Sequence, residues 1–233
     1  MLELELDNAQ ARRWLLEAIE QSRHSLHLQV YMALDDDVGS AVEVALAGAA
    51  ARGVAVRVLV DSMHGLHGSF GVHNPLLERL AARPGVELRT WRPITELPSL
   101  ADIKQRDHRK LLIVDGHTAF LGGINISSVY SGGSFSQRSR HRTDTGVAWR
   151  DTDLQLQGPV VAELQKLFLA TWEKQKGEPL PGKNYFPSSE HAGPHVVRAI
   201  GSSPDDPFSL IYATLLSAIA SAEVSVNITN AYF

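Results

Sequence analysis

The segment His108–Asn125 reads HRKLLIVDGHTAFLGGIN and carries most of the information in this sequence. Two apolar runs flank Asp115-Gly116, and an Asp-Gly pair between such runs is a strong signal for a β-hairpin. Side chains two positions apart on a strand point to the same face of the sheet. We therefore expect His108 and Lys110 to project together.

This segment also holds the groups that phosphodiester chemistry requires. An imidazole such as that of His108 can attack phosphorus, and the ammonium group of Lys110 can hold a non-bridging oxygen. Gly123 allows close backbone approach, and Asn125 adds an uncharged amide donor. We predict that Lys110, Gly123 and Asn125 bind substrate. Asp115 is part of the motif but is expected to serve the turn rather than act as an acid or base.

Helices and strands alternate on both sides of this segment. The apolar pattern predicts helices at 9–23, 38–52, 74–83 and 159–174 and strands at 25–32, 54–60, 86–91, 146–149 and 153–157. Strand and helix at this spacing indicate an α/β fold with some parallel pairing.

The region after the last predicted helix suggests a second, similar half. Residues 176–194 hold four prolines and three glycines and are predicted to be a linker. Residues 215–233 (LLSAIASAEVSVNITNAYF) repeat the pattern of residues 15–33 (LLEAIEQSRHSLHLQVYMA) at an offset of 200, with five identities. We therefore divide the chain into a first half at 1–175, a linker at 176–194 and the beginning of a second half at 195–233.

Composition limits the kinds of function open to this chain. The absence of cysteine excludes disulfides and zinc–thiolate sites. A net charge of -4 provides no global attraction for nucleic acid. The sequence shows no secretory signal and no membrane-spanning segment, so a cytoplasmic protein is expected.

The set His108, Lys110, Asp115, Gly122-Gly123 and Asn125 resembles the HxK(x)4D…GGxN signature of the phospholipase D superfamily. Further segments resemble the N-terminal half of its bacterial cardiolipin synthase branch. These are Tyr31 with the acidic turn 35–37, ARGVAVRVLVD at 51–61, WRDTDLQLQGPVV at 149–161 and VVRAIGSSPD at 196–205. The resemblance implies a phospholipase D-like mixed β-sheet flanked by helices on both faces.

The resemblance also implies a mechanism without metal or cofactor. One histidine, here His108, attacks the phosphodiester to form a phosphohistidine, and a second histidine protonates the leaving alcohol. An acidic residue before the Gly-Pro strand end orients the first imidazole, and Asp151 stands at that point, with Asp153 and Asp144 as competitors. No second His-x-Lys follows residue 125, so the other half of a longer chain or a dimer partner would complete the site.

The sequence leaves three functions open. The first is phosphatidyl transfer or hydrolysis on a glycerophospholipid such as phosphatidylglycerol, by a protein peripherally associated with the inner membrane. The second is a single-motif dimeric phosphodiesterase or nuclease, although the acidic charge disfavours nucleic acid. The third is a non-catalytic half that binds lipid or phosphate.

Other histidines and a basic run receive weaker interpretations. His64, His67 and His73 lie in a glycine-rich segment that favours a solvated or substrate-gorge loop over a metal site. Residues 138–142 (RSRHR) are predicted to be a solvated loop, or alternatively to contact anionic lipid head groups. His27 is expected to be packed or hydrogen-bonded.

Overall fold

A computed structural model describes residues 1–61, 73–91, 106–130, 151–175, 185–190, 193–203 and 206–229. The chain divides into two compact units, Met1–Val197 and Arg198–Phe233. The first unit contains the His-Lys segment and a seven-stranded sheet.

The helices and strands follow in this order: β1 Leu2–Glu5, α1 Asn8–Gln21, β2 Ser25–Val30, α2 Asp37–Ala51, β3 Ala55–Asp61, α3 Pro75–Ala81, β4 Val86–Trp91, β5 Leu111–Val114, β6 Thr118–Gly122, a short 3-10 helix Ser128–Tyr130, β7 Asp153–Gln157, α4 Val160–Lys174 and α5 Leu210–Ala220. Side chains cap the N-termini of several helices. The Asp7 carboxylate accepts hydrogen bonds from backbone N–H groups of α1, and the Asp36 carboxylate accepts them from Val38 and Gly39 of α2. Such caps satisfy amides that have no partner within the helix.

The sheet is mixed and has the order β1-β7-β6-β5-β2-β3-β4. Strands β2, β3 and β4 are parallel because helices connect them, and the remaining pairs are antiparallel. The hairpin β5–β6 pairs with β2 in the middle of the sheet. This order brings the end of β2 beside the segment that precedes β5.

Helices cover both faces of the sheet. On one face, the apolar residues of β2, β3 and β5 form a single buried core with α1, α2 and α3. On the other face, Phe168 and Trp172 of α4 are fully buried. The Phe168 ring stacks on His27 at 4.7 Å, and the His27 Nδ1 lies 3.0 Å from the Gln165 Oε1. His27 is therefore packed and hydrogen-bonded, as predicted.

The α/β fold and the mixed sheet with helices on both faces are confirmed. Within the described residues the predicted elements are present, with ends that differ by at most two residues. Strand β1 was not predicted, although its Leu-Glu alternation is a strand pattern; it pairs antiparallel with β7 at the sheet edge. The strand predicted at 146–149 lies outside the described residues.

Part of the predicted linker lies within the first unit and packs on its sheet. Tyr185 is buried, its ring lies 5.0 Å from that of His27, and its hydroxyl accepts a hydrogen bond from Arg57. Its carbonyl oxygen lies 2.5 Å from the position that a Cβ at Gly116 would occupy. A side chain at that turn position would displace this segment.

The second unit contains α5, which carries the repeated segment 215–219 in the way that α1 carries 15–19. The apolar side chains of this helix are exposed, among them Leu215 and Ile219. Residues 225–229, which match β2 in the repeat, form no strand. A strand needs a hydrogen-bonded neighbour, and the described part of this unit offers none. That this unit begins a second half stays a prediction.

Candidate active site

The predicted site residues lie on and next to the hairpin β5–β6. Asp115 occupies the turn of this hairpin. Asp115 has a φ of 53°, in the left-handed region that Asp tolerates better than most residues. Its carboxylate accepts hydrogen bonds from the backbone N–H groups of Arg23, His24 and Ser25, at 2.7 to 3.0 Å for the shortest bond to each. Asp115 therefore joins the hairpin turn to the start of β2, which is the structural role that the sequence indicates.

His108 and Lys110 lie together on one aromatic ring. The His108 imidazole stacks on Tyr31, with 4.0 Å between the ring centroids and 13° between the planes. The Lys110 Nζ lies 5.6 Å from the centroid of the same ring and donates a hydrogen bond of 2.6 Å to the His108 carbonyl oxygen. The two side chains therefore project together, as the two-residue spacing predicts.

Arg109, between them, points to the opposite face of the sheet. Its Nη1 donates a 2.8 Å hydrogen bond to the Thr171 hydroxyl on α4. The alternation of strand geometry thus extends to residues just before β5.

The glycine pair leaves room for two carboxylates. A Cβ at Gly122 would lie 1.7 Å from Asp153 Oδ1, and one at Gly123 would lie 2.0 Å from Asp151 Oδ1. Both distances are far inside van der Waals contact. Any residue larger than glycine would displace these carboxylates, so the pair serves the packing of acidic side chains.

Asp151 interacts electrostatically with Lys110. Burial raises the pKa of Asp151, and the Lys110 ammonium opposes that rise. Burial likewise lowers the pKa of Lys110, against the carboxylates of Asp151 and Asp107. The prediction that Asp151 orients the His108 imidazole stays a prediction.

Asp153, the alternative to Asp151 for orienting His108, has the more strongly shifted pKa of the two carboxyl groups. Burial, followed by the charge of Asp151, raises the pKa of Asp153 to about 6, although the Ile124 backbone N–H donates to it. Its Oδ2 is buried and has no hydrogen-bond partner among the described residues. An acid in such a place favours its protonated form.

The charge of His108 is set by several neighbours. Burial lowers its pKa most, and the Lys110 ammonium lowers it further, while the carboxylates of Asp61 and Asp107 raise it. The net effect is a lowered pKa, which favours the neutral imidazole that a nucleophile requires.

Asn125 is buried and already engaged. Its Oδ1 accepts from the Met32 backbone N–H at 3.1 Å, and its Nδ2 donates to the Tyr130 hydroxyl at 2.8 Å. The amide joins the end of β2 to the 3-10 helix beside the site. That Asn125 contacts the substrate stays a prediction. The same holds for the predicted contact of Gly123 with the substrate.

Four further residues belong to this site or support it, and the sequence analysis gave none of them a role there: Asn8, Tyr31, Asp61 and Asp107. The Asn8 Oδ1 accepts from the Asp151 backbone N–H, and its Nδ2 donates to the Tyr130 carbonyl. The signals present were Tyr31 at a strand end and Asp107 next to the histidine, but nothing local indicates which strand ends meet.

Several predictions fall outside the described residues: His64, His67, Asp144 and the run 138–142. His73 is described, and its Nδ1 lies 3.0 Å from Glu78 Oε1 at the surface. Within the described ranges no group of three or more His, Asp or Glu could hold a metal ion. No helix in the same ranges is long and apolar enough to cross a membrane.

Residues 15–172 match the family described as the cardiolipin synthase, phospholipase D-like domain. The chain belongs to this family. The matched range includes the site residues from Tyr31 through His108 and Lys110 to Asp153, so the resemblance drawn from the motif is confirmed.

Curated relatives extend the match. The chain is 32% identical to cardiolipin synthase 1 of Bacillus anthracis over 227 residues, covering 94% of this chain and 42% of that protein. It is 33% identical to the cardiolipin synthase of Alkalihalophilus pseudofirmus over 230 residues, covering 97% and 43%. The chain therefore spans less than half the length of these relatives.

Two solved structures share the fold. NucT from Helicobacter pylori superimposes with a TM-score of 0.53 at 15% identity, over 74% of this chain and 96% of that one. Nuc from Salmonella typhimurium, a phospholipase D family member, gives 0.50 at 19% identity, over 76% and 93%. At these identities the likeness is one of fold.

Proposed function

We propose that this chain contributes one His-Lys set to an enzyme that transfers the phosphatidyl group of a glycerophospholipid through a phosphohistidine. The observation that carries this proposal is the joint placement of the His108 imidazole and the Lys110 ammonium on Tyr31. Membership of the family and relatives named cardiolipin synthases favour a phospholipid such as phosphatidylglycerol over other phosphodiesters.

The first half-reaction assigns a role to each group. A ring nitrogen of neutral His108 attacks phosphorus, forming a P–N bond while the P–O bond to the leaving alcohol breaks. The Lys110 ammonium holds a non-bridging oxygen as negative charge develops there. The leaving alkoxide takes its proton from an acid outside the described residues, and a second histidine from a following half or a partner chain suits this role.

The second half-reaction returns the enzyme to its starting state. A hydroxyl of an acceptor alcohol, or of water, attacks the phosphohistidine, the P–N bond breaks, and the hydroxyl proton passes to the same outside acid. An alcohol gives a new phospholipid, and water gives phosphatidate. The charge of Asp151 favours the ammonium form of Lys110, and Asp151 is our choice for the group that orients His108.

Covalent labelling tests the first half-reaction by itself, with solvent water supplying the proton of the leaving alcohol where the second histidine is absent. The purified chain is incubated, in chelator, with vesicles of phosphatidylglycerol that is radiolabelled at its phosphorus. We expect a protein-bound label that acid releases and base does not, as for a phosphohistidine. His108→Gln should abolish this label, whereas His117→Gln, at an exposed turn position, should keep it.

Product analysis in the same reaction separates the candidate functions. Label without product means that this chain supplies only half of a site. Head-group exchange or hydrolysis by the chain alone means that two copies complete the site, as in the dimeric alternative. Vesicle binding with no label at all would favour the non-catalytic alternative, and label that survives His108→Gln would overturn the proposed mechanism.

A further inference from the structure

A buried carboxylate cluster lies directly behind the backbone of His108. Asp61, the last residue of β3, has a fully buried side chain. Its Oδ2 accepts a 3.0 Å hydrogen bond from the Asp107 backbone N–H, and its Oδ1 lies 3.7 Å from Arg106 Nη1. A buried carboxylate is retained only where hydrogen bonds and an opposite charge offset its desolvation.

Asp107 extends the cluster to the other side of His108. Its Oδ1 accepts a 3.0 Å hydrogen bond from the Arg109 backbone N–H, and its Oδ2 accepts a 2.7 Å hydrogen bond from Gln29 Nε2. The backbone is thus held at residue 107 by Asp61 and at residue 109 by Asp107. Residues 106–110 belong to no strand, so these bonds replace the sheet ladder where His108 is attached.

The same carboxylates act on the charge of the imidazole. Among the described residues, Asp61 and Asp107 favour the cationic form of His108, whereas burial and Lys110 disfavour it. Arg106 pairs with Asp61, and Arg109 pairs with Asp107. The charge of Asp61 also reaches Tyr31, whose pKa is raised by burial first and by Asp61 second.

We propose that Asp61 is a positioning residue for His108: through Asp107 it fixes the backbone that carries the imidazole, and its negative charge stabilises the cation formed when that imidazole is phosphorylated. The proposal rests on His108 being the nucleophile. A neutral imidazole that forms a P–N bond gains a positive charge, and a fixed buried carboxylate lowers the energy of that state without reorganisation.

The charge and the positioning are separable by substitution. Asp61→Asn keeps an oxygen that can accept from the Asp107 N–H but removes the negative charge, whereas Asp61→Ala removes both. Glu17→Gln, an exposed carboxylate on α1, is the matched control for charge alone.

Histidine titration by NMR measures the effect without any turnover. The Cε1–Hε1 signal of His108 is assigned in the full chain by its loss in His108→Ala. In Asp61→Asn we expect the His108 midpoint to move to lower pH, because a carboxylate that stabilises the cation is gone, while Glu17→Gln leaves it unchanged. Asp61→Ala should in addition change the shift that the stacked Tyr31 ring imposes on this signal.

The labelling reaction supplies the second readout. In Asp61→Asn the low-pH limb of phosphoenzyme formation should move to lower pH by the same interval as the NMR midpoint, and the plateau rate should fall. If Asp61→Asn does not fold, because Arg106 loses a buried partner, the double variant Asp61→Asn/Arg106→Gln removes both buried charges and provides the same titration test.

The outcomes distinguish this proposal from the proposed function. A His108 midpoint that stays at the wild-type pH in the folded charge variants would overturn the role of Asp61, whatever the activity. A shifted midpoint in a chain that forms no phosphohistidine would keep the electrostatic role and refute the nucleophile assignment. A shifted midpoint with a parallel shift of the labelling profile is the result that we expect.

Discussion

Replacing Asp153 with asparagine should change how the stability of this protein depends on pH. Asp153 is only 9% exposed, and burial with the charge of Asp151 raises its pKa from 3.8 to about 6. A raised pKa means that the folded chain binds this proton more tightly than the unfolded chain does. The free energy of unfolding therefore falls as the pH rises from about 4 through about 6.

The size of the effect follows from the shift. One pKa unit corresponds to about 1.4 kcal/mol, so a shift of about two units sets an upper limit of about 3 kcal/mol. We expect that the difference in unfolding free energy between Asp153→Asn and the wild type grows by about 1 to 3 kcal/mol between pH 4 and pH 8. The asparagine amide can leave a donor unpaired, but that cost is the same at every pH and does not alter the slope.

Urea denaturation followed by tryptophan fluorescence, at intervals from pH 4 to pH 8, measures this difference. Glu17→Gln replaces an exposed carboxylate and should run parallel to the wild type. If the curves of Asp153→Asn and the wild type are also parallel, Asp153 titrates normally. The conclusion that Asp153 is a buried acid with a raised pKa would then be wrong.

Two further substitutions test the hairpin and the glycine pair. Asp115→Ala should lower the free energy of unfolding by about 2 kcal/mol, because three backbone N–H groups at residues 23–25 lose a charged acceptor; an unchanged urea midpoint would contradict this. Gly123→Ala should reduce phosphohistidine labelling at least about tenfold, since its Cβ displaces the Asp151 carboxylate that faces Lys110. Gly48→Ala on α2, where the nearest atom is 3.8 Å away, should label normally, and equal labelling by both variants would refute the displacement.

The local pattern of the sequence predicted most of the fold. The two apolar runs that flank Asp-Gly located β5 and β6, and the apolar periodicities located the helices. Among the described residues, strand β1 and the 3-10 helix Ser128–Tyr130 were missed. An edge strand of four residues with two glutamates carries a weak apolar signal. Residues 215–219, which repeat part of α1, lie in helix α5. Residues 225–229, which repeat part of β2, form no strand, because a strand requires neighbours that local pattern does not supply.

The sequence by itself determined the chemistry that this chain can offer, because His108, Lys110, Asp115 and the glycine pair are close in the chain and their spacing is a local property. Only the tertiary structure decided which distant groups serve them. Tyr31 meets His108 and Asp61 meets Asp107 because β2 lies between β5 and β3. The order of strands in the sheet depends on the packing of the whole core. Contacts between residues on different strands therefore cannot be predicted from the local sequence around either residue.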